Sequence, residues 1–236
     1  MPSARDGRYR GLDARRSLDD LLPAVRAFGP DAILLTGDVS EDGAPASYEA
    51  VSRRLAEIDV PVLALPGNHD DPGEMQKHFE TGPWSGPRFV ALGDWLIVLL
   101  DSTAPGRIDG VLDDARLSAL SAGLQSHGQA HVLVALHHQP MPVRSHWIDR
   151  YPLETPKRFR EILLKDGRVR CVAWGHVHQD FVSPDGGVLW LGSPSSVANG
   201  LPGCEKFTLD PAGPACRWLR LEPDGRVDTG LLRPPG

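Results

Sequence analysis

The sequence predicts a mixed α/β domain in which two β-sheets pack against each other and helices cover the outside. Three observations lead to this expectation. Apolar runs alternate with helical patterns in the first part of the chain, two apolar runs flank a Gly-Asp pair in the middle, and strand-like segments follow one another near the carboxyl end. Alternating strands and helices are typical of parallel βαβ units, whereas the Gly-Asp pair indicates an antiparallel hairpin.

The individual elements follow from the spacing of apolar side chains. These recur every three or four residues where a helix is predicted and are continuous where a buried strand is predicted. Gly29-Pro30 ends the first helix, and Pro156 suits the first position of the last one. In chain order we predict a helix over 15–28, a strand over 32–35, a helix over 47–58, a strand over 60–65, a hairpin over 88–92 and 95–100, a helix around 117–124, a strand over 132–136, a helix from 155, a strand over 170–174 and consecutive antiparallel strands after 187.

One domain over residues 1–236 accounts for the whole chain. Its 25 glycines and 22 prolines are spread evenly, without a linker-like block or an internal repeat. A single core of this size can bury roughly 70% of the surface of the unfolded chain. We therefore expect a single domain with a β-rich tail over about 187–236.

Composition and charge exclude several classes of protein. Lys and Arg number 25 against 31 Asp and Glu, so the net charge of −6 leaves no basic surface for nucleic acid. The longest wholly apolar run, 95–100, is too short to span a bilayer, and the amino terminus has no apolar stretch resembling a secretion signal. Three cysteines imply no disulfide framework. We expect a cytoplasmic protein with neither nucleic-acid nor membrane partners.

The informative feature is the set of polar residues that directly follow the buried runs. Ligands of open α/β sheets collect at the carboxyl ends of parallel strands, so these residues are expected to converge in one crevice. Glycines before three of these groups allow sharp turns of the backbone. The groups are Asp38, Asn68-His69-Asp70, His137-His138 and His176-x-His178.

Each group has an ordinary structural explanation when it is taken alone. Asp38 could belong to a simple turn, and Asn68-His69-Asp70 could cap a helix. His137-His138 could be a buried pair with one ring hydrogen-bonded to the backbone. The spacing of His176 and His178 places both rings on one side of an extended segment, as ligands often are. All four groups in one chain favour a metal site.

The donor types indicate which metals and which chemistry suit such a site. Oxygen and imidazole donors without cysteine favour Mn²⁺, Fe²⁺ or Zn²⁺ over a structural zinc site. A carboxylate can bridge two such ions, and two ions roughly 3.5–4 Å apart can hold a phosphoester and activate water. His69 is then more useful as a proton donor to the leaving oxygen than as a ligand. Of the remaining histidines, His78, His127 and His131 are expected to be solvated, His146 is taken as structural, and the role of His138 is left open.

The order and separation of these motifs resemble the calcineurin-like metallophosphoesterase family. Within it, the likeness is greatest to the class III cyclic-nucleotide phosphodiesterase branch, which hydrolyses 3′,5′-cyclic AMP, and it covers nearly the whole chain. The motifs that carry the resemblance are Gly37-Asp38, Gly67-Asn68-His69-Asp70, His137-His138-Gln139-Pro140, Gly175-His176-Val177-His178 and Leu99-Leu100-Asp101-Ser102.

The resemblance implies a β-sandwich flanked by helices and a centre of two divalent ions, namely iron, manganese or zinc. Asp38 would bridge the two ions. Asn68, His137 and His176 would complete the shell of one ion, and His178 would bind the other.

The resemblance also implies how the reaction proceeds. A hydroxide on the metal would attack phosphorus in line, and His69 would protonate or stabilise the leaving alkoxide. Asn68, His69 and His178 would contact the substrate, a small phosphodiester such as a cyclic nucleotide.

One element of the family pattern is absent from the sequence. The family opens with a strand that ends in Asp-x-His and supplies two ligands to the ion held by His178, but no Asp-x-His precedes Asp38, and neither Asp6 nor Asp13 has His two residues on. We therefore expect a chain shortened at its amino end, by a wrong start codon or by the choice of expressed segment, with the first strand missing. The second ion should bind poorly, hydrolysis should be weak and the fold less stable.

Three functions remain open at this point. The first is a metal-dependent cyclic-nucleotide phosphodiesterase, and the second is an enzyme for glycerophosphodiesters or other small phosphodiesters. The third is a metal-binding scaffold with impaired catalysis, which the missing ligands favour and the presence of His69 disfavours. A homodimer is compatible with each of them.

Overall fold

The computed structural model describes residues 7–79 and 86–235. The strands are β1 (Arg8–Tyr9), β2 (Leu12–Asp13), β3 (Ile33–Thr36), β4 (Val62–Leu65), β5 (Arg88–Leu92), β6 (Trp95–Leu99), β7 (His131–Leu136), β8 (Val169–Trp174), β9 (Phe181–Asp185), β10 (Val188–Gly192), β11 (Cys216–Leu221) and β12 (Val227–Leu232). The helices are α1 (Ala14–Phe28), α2 (Pro45–Ala56), α3 (Pro72–Met75), α4 (Asp114–Ser126), α5 (His146–Asp149) and α6 (Pro156–Lys165).

A six-stranded mixed sheet forms the centre of the fold, with the strand order β5-β6-β7-β8-β10-β9. The four inner strands run parallel, and β5 and β9 pair antiparallel at the two edges. Val98, Val134, Val172 and Trp190 lie side by side across the inner strands, and each is fully buried. The predicted mixed α/β class is therefore confirmed.

The two faces of this sheet pack against different layers because side chains alternate along each strand. On one face, Val98 and Val134 share a cluster with Leu120 of α4 and Phe159 of α6. The helices lie outside, as the sequence predicts.

The opposite face packs against a second β layer. Ile97 and Leu133 of the central sheet share a cluster with Leu63 of β4, and Leu219 of β11 packs against it. This layer consists of the parallel pair β3–β4 and the antiparallel hairpin β11–β12, which form separate two-stranded sheets. Two β layers are thus in contact, but in the described part of the chain the second one is interrupted.

A cavity of about 900 Å³ lies at this interruption. It is lined by the whole of β3 and β11 and by apolar side chains of α1, and it extends to the residues that follow β3. Apolar atoms that face a cavity lack packing partners, and this lowers stability. The missing first strand and a less stable fold stay predictions.

Most local predictions agree with the structure, and one does not. Asp13 caps α1 with its side chain, Gly29 ends the helix in the left-handed conformation, and Pro156 begins α6. The prediction of consecutive antiparallel strands after residue 187 is wrong for β10, which pairs antiparallel with β9 but parallel with β8. The β9–β10 hairpin inserts its second strand next to β8, so proximity in sequence does not determine the pairing.

No helix in the described ranges combines the length and the apolar character that crossing a lipid bilayer requires.

Two neighbouring leucines of α6 provide a test of this packing. Leu163 is fully buried in the core, whereas Leu164 is 43% exposed. Leu163→Ala should lower the free energy of unfolding by about 2–5 kcal/mol, because it leaves a cavity between α6 and the sheet. Leu164→Ala should lower it by less than about 1 kcal/mol. Urea unfolding of both variants measures the difference, and equal losses would contradict the orientation of α6.

Candidate metal centre

Four loops that follow parallel strands meet where the two β layers touch. They follow β3, β4, β7 and β8 and carry every residue predicted to form the site. Their approach is so close that glycine is required at two positions. A Cβ on Gly37 would lie 2.4 Å from His137 Nδ1, and one on Gly67 would lie 2.2 Å from Asp38 Oδ1. The predicted convergence of these loops is present in the structure.

Asp38, His137 and His176 form the inner part of the site. His137 Nδ1–H donates to the Thr36 carbonyl oxygen at 2.7 Å, which turns Nε2 toward Asp38 Oδ2 and His176 Nδ1, each 3.2 Å away. When His137 is neutral, its Nε2 lone pair faces the Asp38 carboxylate with no hydrogen between the two atoms, and His176 has at least one ring nitrogen with a bare lone pair. A cation is the group that satisfies such an arrangement.

Two further atoms support the same conclusion. The side-chain oxygen Oδ1 of Asn68 and the Nε2 atom of His176 are buried and have no hydrogen-bond partner among the described residues. Buried polar atoms without a partner are rare in folded proteins, because leaving them unpaired costs free energy. The donor set of Asp, Asn and His therefore fits a divalent metal ion.

Three of the candidate ligands have backbone conformations that non-glycine residues rarely adopt. The φ angles of Asp38, His176 and His178 are 52°, 61° and 47°. Such residues cost of order 1–3 kcal/mol each and persist where the surrounding structure holds them. Their occurrence at three candidate ligands indicates that the positions of these side chains, rather than local stability, determine the conformation.

The electrostatics of the site shift the pKa values of its histidines in opposite directions. Burial by itself would raise the pKa of Asp38, but the charge and hydrogen bond of His137 hold it well below its usual range. Burial would lower the pKa of His137, yet Asp38 raises it above its ordinary value. Burial lowers the pKa of His176 strongly and that of His178 to about 4, so both rings are neutral at pH 7. Neutral imidazoles are the form that binds metals.

His69 lies beside the inner group and is held by its backbone. Its N–H donates to Asp38 Oδ1 at 3.0 Å, and its ring Nδ1–H donates to the Glu41 carbonyl oxygen at 3.1 Å. The His69 side chain is 41% exposed, and a carboxylate oxygen of Glu41 lies 3.9 Å from Nδ1. The ring is therefore oriented by its Nδ1 while remaining accessible to solvent.

His178 lies at the margin of the inner group. Its Nδ1–H donates to the Ala198 carbonyl oxygen at 3.0 Å, which leaves Nε2 as the available donor atom. Its ring packs edge-on against the Tyr9 ring, with 5.8 Å between their centroids. Within the described residues it makes no hydrogen bond to Asp38, His137 or His176.

Asp70 has a role that the sequence alone did not indicate. Its carboxylate accepts hydrogen bonds from the backbone N–H groups of Val39, Ser40 and Gly67 at 2.9–3.2 Å and from the Tyr48 hydroxyl at 3.1 Å. Burial and the nearby charge of Asp38 raise its pKa. These bonds fasten the loop after β3 to the loop after β4, which carry Asp38 and Asn68.

The alternative of a helix cap at Asn68-His69-Asp70 is not what the structure contains. Asp71 is the N-cap of α3, and its side chain accepts from the Glu74 N–H at 2.9 Å. The preceding three residues remain in the loop at the site.

His138 belongs to the cluster of three buried histidines with His137 and His176, whose ring nitrogens lie within 4.8 Å of one another. Both of its nitrogens already have partners, since Nε2–H donates to the Ile108 carbonyl oxygen at 3.0 Å and Nδ1 accepts from the Ser102 hydroxyl at 2.8 Å. Burial lowers its pKa to about 3. It packs against the rings of His137 and His176, and neither ring nitrogen is free to bind a metal, so its contacts favour the structural role that the sequence left open.

Another histidine outside the site differs from its prediction. His131 was expected to be solvated, but it is 8% exposed and its Nε2–H donates to the Pro223 carbonyl oxygen at 3.0 Å. It begins β7 and is covered by the turn between β11 and β12, a contact between distant parts of the chain.

The sequence matches the calcineurin-like phosphoesterase family over residues 12–180. The chain belongs to this family. Since divalent metal ions are the family's cofactors, the match agrees with the donor set described above.

Several bacterial proteins are similar to this chain. The chain is 40% identical over 233 residues to a 3′,5′-cyclic adenosine monophosphate phosphodiesterase, CpdA, of Pseudomonas aeruginosa, covering 98% of this chain and 85% of that protein. It is 33% identical over 230 residues to a 3′,5′-cyclic-nucleotide phosphodiesterase of Nostoc, with coverages of 97% and 86%. CpdA of Escherichia coli K12 is 32% identical over 226 residues, with coverages of 94% and 82%.

Solved structures resemble the fold. A dimetal phosphatase of Danio rerio superposes with a TM-score of 0.66 at 18% identity, covering 96% of this chain and 90% of the other. A Thermus thermophilus protein, TT1561, superposes with a TM-score of 0.55 at 15% identity, with coverages of 92% and 93%. At this identity the likeness shows the fold alone.

Asp70→Asn tests whether the two ligand loops depend on one carboxylate. The amide leaves a single acceptor oxygen for four donors, so we expect the free energy of unfolding to fall by about 1–3 kcal/mol and manganese to bind more weakly. Asp71→Asn is a matched control, because asparagine also caps helices and should keep both properties. Urea unfolding and calorimetric titration with manganese measure the effects. Unchanged manganese affinity in Asp70→Asn would contradict the role of the carboxylate.

Proposed function

We propose that this chain is a metal-dependent phosphodiesterase that hydrolyses 3′,5′-cyclic nucleotides, with cyclic AMP as the substrate. The observation that carries the proposal is the donor set of Asp38, Asn68, His137 and His176 on loops that meet at one point, with buried donor atoms that lack partners. The choice of substrate is inferred from similar proteins, because the chain shares 40% identity over 98% of its length with a CpdA cyclic AMP phosphodiesterase.

In this proposal Asp38, Asn68, His137 and His176 hold one divalent ion, and Asp38 and His178 contribute to a second. Such ions supply Lewis acidity that offsets charge on the phosphoryl oxygens and activates water. Thr36 and Ala198 orient the rings of His137 and His178 through their carbonyl oxygens, as partners of metal-binding histidines do. Iron, manganese and zinc are all compatible with these donors.

His69 is proposed as the general acid. Its Nδ1–H is held by the Glu41 carbonyl oxygen, so the proton that a protonated ring can transfer is the one on Nε2. This proton passes to the alkoxide oxygen that leaves phosphorus, so that no free alkoxide forms. Asn68 and His178, with His69, contact the phosphodiester.

His69→Ala tests this role. We expect kcat for cyclic AMP to fall about 10²–10⁴-fold, because the alkoxide leaves without a proton. Bis(p-nitrophenyl) phosphate has a leaving group that needs no proton, so its hydrolysis should fall much less. Steady-state kinetics measure the loss of kcat on each of the two substrates. An equal loss on both substrates would contradict general-acid catalysis.

The two ions are proposed to bind unequally. The inner group and Asn68 together offer up to four donors to one ion, whereas the described residues offer only Asp38 and His178 to the other. Equilibrium dialysis with manganese should therefore detect one tight and one weak ion. His178→Ala should remove the weak class alone, and His137→Ala should remove the tight one. Two ions of equal, high affinity would contradict this assignment.

The substrate proposal is tested by comparing two phosphodiesters at equal manganese concentration. We expect faster turnover of cyclic AMP than of glycerophosphocholine, and loss of both activities with a chelator. Faster turnover of glycerophosphocholine would favour the alternative phosphodiesterase. Absence of turnover with bound metal would favour a metal-binding scaffold. A homodimer stays a prediction.

A further inference from the structure

An arginine beside the metal centre occupies an unfavourable backbone position. The hairpin β1–β2 turns through Arg10 and Gly11, whose φ angles are 50° and 84°, and Tyr9 pairs with Leu12 across it. Two-residue turns with both φ angles positive favour Asn or Gly at the first position. Arginine has no such preference, so its side chain is the feature of this position that requires an explanation.

The guanidinium group of Arg10 is held in place, but not all of its N–H groups have a hydrogen-bond acceptor in the described ranges. Its Cζ atom lies 3.7 Å from the centroid of the Phe207 ring, and Nε–H donates to the Tyr9 hydroxyl at 3.2 Å. The edge of Phe207 in turn packs against Trp147, with 5.1 Å between ring centroids and an angle of 86°. Arg10 is exposed, and its two terminal amino groups have no hydrogen-bond partner in the described ranges.

These side chains border the proposed ligand His178. Tyr9, whose hydroxyl accepts the hydrogen bond from Arg10, also packs its ring on the His178 ring. The loop that carries Phe207 is attached to the same place, since the Gly200 N–H donates to the His178 carbonyl oxygen at 2.8 Å. Arg10, Phe207 and Trp147 therefore form a platform, which we call the aromatic platform, next to the metal centre.

We propose that the aromatic platform binds the nucleobase of the cyclic nucleotide, with the base stacked on the exposed face of the Arg10 guanidinium. This inference rests on the proposed function and adds the part of the site that recognises the organic half of the substrate. Bases stack on guanidinium planes and on aromatic rings, and arginine amino groups donate to the acceptor nitrogens of purines. The metal centre binds the phosphodiester, and the platform lies beside it.

The charge and the planarity of the Arg10 guanidinium make different contributions to base binding, and two substitutions at this position distinguish them. Arg10→Asn removes the guanidinium and suits the left-handed turn, so the midpoint of thermal unfolding should stay the same or rise. Arg10→Lys keeps the charge but loses the plane on which a base can stack. Arg8→Lys makes the same change on the same hairpin and is the matched control.

The kinetic test compares cyclic AMP with a base-free cyclic ribose 3′,5′-phosphate. Arg10→Asn should lower kcat/KM for cyclic AMP roughly ten- to a hundredfold, as expected for one lost base-stacking contact, and change it less than about twofold for the base-free compound. The kcat/KM of Arg10→Lys for cyclic AMP should lie between those of Arg10→Asn and the parent chain. Arg8→Lys should have the kcat/KM of the parent chain. Equal losses on both compounds, or no loss on either, would overturn the proposal.

A binding test keeps this inference separate from the proposed function. Calorimetry on the manganese-loaded chain compares 5′-AMP with ribose 5-phosphate, which requires no turnover. We expect the parent chain to bind 5′-AMP at least about tenfold more tightly and Arg10→Asn to lose that preference. If the chain hydrolyses no diester but this preference is present and depends on Arg10, the proposed activity fails and base recognition stands. Equal affinities for both compounds in the parent chain would overturn base recognition.

Discussion

The site depends first on one partly buried carboxylate, that of Asp70. A carboxylate withdrawn from water needs hydrogen-bond donors, and here three backbone N–H groups and the Tyr48 hydroxyl donate to it. Because the three backbone donors belong to the loops after β3 and β4, one side chain fixes both loops at the edge of the second β layer. Asp38 is thereby brought against His137 of the central sheet.

Where the two layers meet at the site, the protein itself does not provide a partner for every polar atom. Neutral His137 turns a lone pair toward the Asp38 carboxylate, and Asn68 and His176 leave buried atoms without partners. In the absence of a cation, a proton retained by His137 relieves part of this conflict, which is why the pKa of His137 is raised. A divalent ion relieves more of it. Metal binding is therefore expected to stabilise the fold as well as to prepare the site.

The sequence predicts the parts of this arrangement that depend on local pattern. Apolar periodicity indicates β3, β4, β7 and β8, and the polar residues after them identify the ligand loops. The role of Asp70 was not predictable in this way, because it comes from hydrogen bonds to residues about 30 positions earlier in the chain. The same holds for the contact of Arg10 with Phe207, which joins residues that are far apart in the sequence. The parallel pairing of β10 with β8 likewise depends on the tertiary structure.

The central claim is that the loops after four strands share a divalent cation. Anomalous X-ray diffraction from crystals of this chain grown with zinc tests it most directly. The account predicts a peak about 2.0–2.2 Å from Asp38 Oδ2, Asn68 Oδ1, His137 Nε2 and a ring nitrogen of His176. A strong peak elsewhere, with these four side chains unliganded at full zinc occupancy, would contradict it.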